Sequence, residues 1–241
     1  MQLLRFVHPE SRLAIDGRLE EDTVIYPSGQ IALGKVRLLA PCVPSKIICV
    51  GRNYAAHATE LGNKPPKRPL LFFKPPSAVI GPEDTIRLPK DHLVHHEAEL
   101  ALVIAKRCRK VRASHAIDVV LGYTCMNDVS DRQEQKQEQN WVRAKGFDTS
   151  APIGPVITTK DEIQGPFHIM SRVNGQVRQD GSTSDFIFST ASLIEEISYY
   201  MTLEPGDVIA TGTPAGVGPL VPGDRVEVEI EGIGILANTV E

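Results

Sequence analysis

His95-His96-Glu97-Ala98-Glu99-Leu100-Ala101-Leu102-Val103-Ile104 joins two kinds of strand in one run. From Leu100 to Ile104 it is continuously apolar, the pattern of a strand covered on both faces. Before that it alternates, which puts His95, Glu97 and Glu99 on one face. Two carboxylates sharing a strand face repel, and such a pair persists at low cost only if solvated or beside a cation. A solvated edge strand is the plainer explanation of Glu-x-Glu. The apolar continuation argues against it, because a strand of this kind runs through a core.

Reading outward, Lys46-Ile-Ile-Cys-Val-Gly51 is an apolar strand stopped by glycine, and Leu121 to Asn127 is another. Asp207 to Ala210, Arg225 to Ile230 and Gly234 to Asn238 follow, with alternating charge in the second implying one solvated face. Asn174-Gly175 between two polar-apolar runs predicts a hairpin. Thr190 to Met201 has the period of an amphipathic helix, with Leu193, Ile194, Ile197 and Tyr200 on one side. Shorter helices are expected over Asn53 to about Gly62, carrying Tyr54, His57 and Leu61, and over Ser114 to Val120 with Ser114 as N-cap. Pro65 to Pro76 is too rich in proline for a regular element, and the polar block Asp128 to Asn140 reads as an exposed helix or a mobile segment. Residues 1–45 form a small strand-rich lead-in, with candidates at Leu3–Val7, Ser11–Asp16 and Thr23–Tyr26 and a turn at Asp16-Gly17. That lead-in is a separate subdomain or an extra layer on the main unit, 46–241. The fold class is α+β, rich in β-structure, with mixed curved sheets.

With 241 residues, 41% of them hydrophobic and a net charge of −4, the chain can build a sizeable core and has no reason to be disordered. The absence of a basic surplus speaks against nucleic acid as a partner. The basic run Lys106 to Arg112 reads as a solvated turn. No apolar stretch approaches the roughly 20 residues of a membrane span, and the start lacks a secretory pattern, so a cytosolic setting is expected. The four cysteines show no C-x-x-C spacing, which excludes a zinc ribbon or redox dithiol; Cys49 and Cys125 sit in apolar runs as buried thiols.

Three places carry chemistry. Asp128 closes the strand after Glu97 and Glu99 and can converge on them; three carboxylates without cysteine suit a hard cation such as Mg²⁺, Mn²⁺ or Ca²⁺. In Gly51-Arg-Asn-Tyr-Ala-Ala-His57-Ala-Thr-Glu60, the His and Glu are three apart and meet on a helix, so that Glu60 can orient His57 as a general base. Chance surface pairing gives the same spacing. Thr211-Gly-Thr213-Pro-Ala-Gly-Val-Gly218 follows an apolar strand and is an anion-approachable turn or an ordinary tight loop; it lacks the Gly-Lys-Ser/Thr of a P-loop. Lys145, taken alone, reads as a surface lysine.

In order along the chain, these blocks and Phe73-Lys-Pro75, Gly122-Tyr123, Asn127-Asp-Val-Ser-x-Arg132, Lys145-x-Phe147, Val173-Asn-Gly175 and Leu203-x-Pro-Gly-Asp207 resemble the fumarylacetoacetate hydrolase family, in its acylpyruvate hydrolase and oxaloacetate decarboxylase branch. The resemblance implies curved mixed sheets around a metal pocket, usually in a homodimer. It implies Mg²⁺ or Mn²⁺ on Glu97, Glu99 and Asp128, and a His57/Glu60 base dyad on a segment that orders when substrate binds. Lys145 would lie near the substrate, supported by Arg132 and Gln135, and Thr213 would contact the substrate carboxylate. The activity implied is C–C hydrolysis of acylpyruvate- or fumarylpyruvate-type 2,4-diketo acids, with oxaloacetate decarboxylation as a companion. The alternatives are a 5-carboxymethyl-2-hydroxymuconate-type isomerase or decarboxylase, or a silent member that binds a dicarboxylate. All three active forms release an electron pair beside a keto group that a cation polarises.

Overall fold

The computed structural model describes residues 1–60, 62 and 64–241. Among these, the apolar run becomes the strand Ala98–Ile104, buried along its whole length and lying inside a 12-stranded sheet. Its neighbours are Val120–Asn127 and Val208–Ala210, both antiparallel to it. Beyond Val208–Ala210 lie Ile47–Gly51, joined in parallel, and the edge strand Leu70–Lys74. On the other side, Val120–Asn127 pairs with Ala151–Thr159, which pairs with Gln2–Val7. The lead-in is thus hydrogen-bonded into the sheet: Ala14–Glu20, Thr23–Tyr26 and Gly29–Ala32 extend it strand by strand from Gln2–Val7.

A five-stranded sheet, ordered Gln176–Ser182, His168–Val173, Arg225–Ile230, Gly234–Val240 and Thr85–Ile86, covers one face. Alternation sorts the core accordingly. Leu100, Leu102 and Ile104 pack with Ile169, Val228, Ile230 and the Leu193, Ile194 and Ile197 stripe of the helix Thr190–Tyr200. Ala101 and Val103 face the opposite way, onto Cys49, Phe72, Met126 and Ala210. Glu99 continues that second face, as do Lys74 beyond Phe72 and Asp128 beyond Met126. An apolar core therefore ends in a polar site.

The expected hairpin is present: Asn174 (φ 52°) and Gly175 (φ 77°) connect His168–Val173 to Gln176–Ser182. Other expectations need correction. Leu70–Lys74 is a strand inside the proline-rich segment, because Pro65, Pro66, Pro69, Pro75 and Pro76 flank it without interrupting it. Asp16-Gly17 lies inside the strand Ala14–Glu20 and makes no turn; a Cβ on Gly17 would stand 2.9 Å from the Ile25 carbonyl oxygen, so close strand packing explains this glycine. Ala113–Val119 is a 3₁₀ segment with no side-chain cap, which leaves Ser114 inside it. Tyr200 is 54% exposed, off the buried stripe. The polar block forms the short helix Arg132–Gln137, capped by Asp131, which accepts from Gln133 N (2.9 Å) and Glu134 N (3.1 Å). His57 and Glu60 lie on the helix Ala55–Glu60, while Leu61 falls outside the described residues.

Candidate active site

Asn127 pairs with Ala98, so the residues flanking that pair, Glu97 and Asp128, meet at the strand ends; Asp128 N donates to Glu97 O at 2.8 Å. Glu97, Glu99 and Asp128 are all buried and each offers one oxygen within 4.8 Å of the others'. Glu99 accepts from Gly212 N (2.8 Å), which ties it to the Thr211–Gly218 turn. Glu97 Oε1 accepts from Arg132 Nη2 at 2.5 Å and Oε2 from Lys145 Nζ at 2.9 Å. Lys145 Nζ also donates to Asp128 Oδ2 (2.6 Å) and Ser130 Oγ (2.5 Å), and it lies 4.8 Å from the centre of the Phe72 ring. It is 2% exposed and so is not the surface lysine that its local sequence suggests.

The electrostatics are divided. Burial works against ionised Glu97, but the Lys145 and Arg132 cations outweigh it and hold that carboxyl well below the usual range. Burial, then the charges of Asp128 and Glu97, push Glu99 well above it. Burial also pulls Lys145 down, yet Asp128 and Glu97 together raise it above its ordinary value. Asp128 Oδ1 is buried and accepts no hydrogen bond. That oxygen faces the Lys74 ammonium at 2.9 Å yet keeps lone-pair capacity beside two further carboxylates, a combination that fits a divalent cation, which would favour ionised Glu99. The trio could therefore hold a metal, and its all-oxygen donor set suits a hard one.

The His57–Glu60 pair is formed as its spacing implies. His57 is 4% exposed, and its Nδ1 is 3.1 Å from Glu60 Oε2. Glu60 Oε1 accepts from Gly216 N at 2.9 Å, which fastens the helix to the Thr211–Gly218 turn. His57, the carboxylate trio and Lys145 open on one cavity of about 310 Å³. Arg132, Gln135 and Thr213 line it too, with Gln135 accepting from Arg132 Nη1 at 2.8 Å. The Thr213 hydroxyl is engaged within the protein: it donates to Ala98 O (2.8 Å) and accepts from Gln179 Nε2 (2.6 Å). His95 also lines the cavity, and burial lowers its pKa to about 4.

Several residues went unassigned at the sequence level. Arg52, Phe72, Leu93, Lys136 and Trp141 also line the cavity. Arg52 (φ 60°) and Trp141 (φ 55°) both adopt the left-handed region, an unfavourable conformation that tends to collect at functional sites. Lys74 offers the one readable signal, a cation two residues beyond buried Phe72 on the same strand face. Gln179 and Ser130 carry none, since a polar residue in a mixed strand or after an aspartate is commonplace.

Residues 46–241 match the family described as Fumarylacetoacetate (FAA) hydrolase C-terminal. The chain is 43% identical over 219 residues to the mitochondrial oxaloacetate tautomerase FAHD2A of Bos taurus, covering 86% of this chain and 70% of the relative. Among solved structures it resembles 5-carboxymethyl-2-hydroxymuconate delta-isomerase from Mycobacterium smegmatis (TM-score 0.91, 45% identity), covering 100% of this chain and 98% of that one. It also resembles maleylpyruvate hydrolase from Sphingobium sp. SYK-6, solved with manganese(II) and pyruvate (TM-score 0.85, 33% identity, 100% and 98% covered).

Proposed function

The chain belongs to the fumarylacetoacetate hydrolase family, and from that premise we propose that it is a Mg²⁺- or Mn²⁺-dependent enzyme moving a proton between keto and enol forms of an oxaloacetate-type 2-oxo acid. One observation carries the proposal: a His–Glu dyad opens on the same cavity as the carboxylate trio. The identities to an oxaloacetate tautomerase and to a muconate-type isomerase favour proton transfer over bond cleavage.

When bound, the cation would supply Lewis acidity toward the keto oxygen. The protein's own residues do the rest. Donation from His57 Nδ1 to Glu60 makes Nε2 the basic nitrogen, available for the proton at the carbon beside the keto group. Gly216 holds Glu60 in turn and so fixes the plane of the imidazole. The Lys145 ammonium and the Arg132 guanidinium offset the negative charge gathering as that proton leaves. Gln135 steadies Arg132. Thr213 shapes the cavity wall, and direct contact between its hydroxyl and a substrate carboxylate would require giving up the Ala98 bond. A homodimer, expected from the family resemblance, belongs to the same proposal.

Hydrolysis of acylpyruvate-type 2,4-diketo acids is the second reading, supported by the likeness to a maleylpyruvate hydrolase. It would use His57 to deprotonate water. Oxaloacetate decarboxylation would leave the base idle. A comparison of kcat/KM for enol-oxaloacetate ketonisation, a hydroxymuconate, acetylpyruvate and fumarylpyruvate under saturating Mn²⁺ separates them. Oxaloacetate tautomerisation is expected to lead the series and to vanish on chelation. Faster C–C cleavage would install the second reading. Undiminished turnover after exhaustive chelation would refute both.

A further inference from the structure

Lys74 takes no part in the chemistry above, yet it stands directly behind it. Its side chain is fully buried, and Nζ donates to Val129 O (2.9 Å), Lys145 O (2.6 Å) and Ser150 O (2.8 Å). Three carbonyl acceptors require three protons, so the group is an ammonium. Its counter-ion is Asp128, whose Oδ1 lies 2.9 Å from Nζ. With the three protons of Lys74 drawn to the three carbonyls, the contact with that oxygen is a pairing of charge and not a well-aligned hydrogen bond. Oδ2 is already taken by Lys145.

We propose that Lys74 is a positioning residue of the metal site: it balances the charge of Asp128 without consuming Oδ1, and so keeps that oxygen's lone pairs open to a divalent cation. The inference rests on the reading of Glu97, Glu99 and Asp128 as ligands. The ion pairs agree with it: Lys74, Lys145 and Arg132 each pair with Asp128 or Glu97, and among the described residues no side-chain cation pairs with Glu99. The strand face carrying Lys74 also grips Lys145 at both ends. Phe72 lies against its ammonium, while Lys74 bonds its carbonyl. Through Val129 O the same ammonium anchors the residue next to Asp128. A lysine serving only to fill the core would have no need of this arrangement, in which one carboxylate oxygen is paired in charge yet left unbonded.

Lys74→Met tests it, read by calorimetric titration with Mn²⁺, thermal unfolding without metal, and kcat and KM at saturating Mn²⁺. Mn²⁺ binding at least 10-fold weaker than wild type is expected in a folded variant, with kcat reduced more than KM is changed. A lower melting temperature with wild-type Mn²⁺ affinity would make Lys74 a core prop and overturn the proposal. Failure of the wild-type protein to bind Mn²⁺ would instead remove the ligand assignment on which it stands. Where Lys74→Met does not fold, Lys74→Arg, which keeps the charge but cannot direct its donors at the same three carbonyls, is expected to fold and to bind Mn²⁺ more weakly than wild type, and wild-type affinity in it would overturn the proposal. Failure of both to fold would also overturn the proposal.

Discussion

Glu99 sits where burial and two neighbouring carboxylates oppose its ionisation, while Glu97, two residues away, is held ionised by Lys145 and Arg132. The difference comes from which cations reach each oxygen, and no local sequence rule contains it. The dyad is more local, since His57 and Glu60 meet within a single turn of helix. His57→Ala is expected to lower kcat by on the order of 10²-fold or more, the usual size of a general-base contribution, while Mn²⁺ affinity is retained. Unchanged turnover would reject the base. At this scale the carboxylates and the dyad were legible because each set is close along the chain or ends adjacent strands. Lys145 was not, and Lys74 showed only as a cation two residues beyond Phe72, because their partners come from strands that the local sequence does not name.

The Thr211–Gly218 turn is the element that joins the parts. Gly212 reaches Glu99, Gly216 reaches Glu60, and Thr213 reaches the start of the central strand. Gly216 adopts φ +100°, and a Cβ there would fall 2.1 Å from the Arg178 carbonyl oxygen. Gly216→Ala must therefore displace the turn, at a cost of about 1–3 kcal/mol. The displaced turn would release Glu60, and kcat should fall while the carboxylate trio still binds Mn²⁺. Thermal unfolding together with steady-state kinetics checks this; wild-type kcat in the variant would show that the tether is dispensable. The glycine-rich pattern marked this turn as special without saying which glycine is constrained by sterics. Proline content misled at Leu70–Lys74 because composition was averaged over a window in which five consecutive residues contain no proline.

Across the whole molecule, the 12-stranded sheet carries the site, and one buried aspartate secures the junction between the lead-in and the remaining strands. Asp207 accepts from Ser45 N (3.1 Å), Ser45 Oγ (2.6 Å) and Glu204 N (2.8 Å), and pairs with Lys46. Burial alone would raise its pKa, but the bonds from Lys46 and Ser45 outweigh burial and lower it. A carboxyl with a depressed folded-state pKa adds stability that is complete above its unfolded value, about 3.9, and is lost as pH falls through the folded one. Asp207→Asn should thus cost about 2 kcal/mol at neutral pH, with the difference from wild type shrinking as pH drops below about 4. Urea unfolding at several pH values measures it, and a pH-independent difference would contradict the assignment. Among the described residues, no helix is long and apolar enough to cross a membrane.

Periodicity and residue type, which are properties of neighbours in the chain, were enough by themselves to establish a β-rich α+β fold, the central buried strand and the hairpin; they offered the carboxylate trio and the His57/Glu60 pair as candidates, and the family resemblance gave those their expected roles. Only the tertiary structure decided which cation meets which carboxylate oxygen, that Thr213 spends its hydroxyl on the backbone, and that two lysines lie buried back to back around Asp128. Those outcomes depend on distances between strands far apart in sequence. Desolvation and Coulomb forces act through space, so the chain order alone does not carry them.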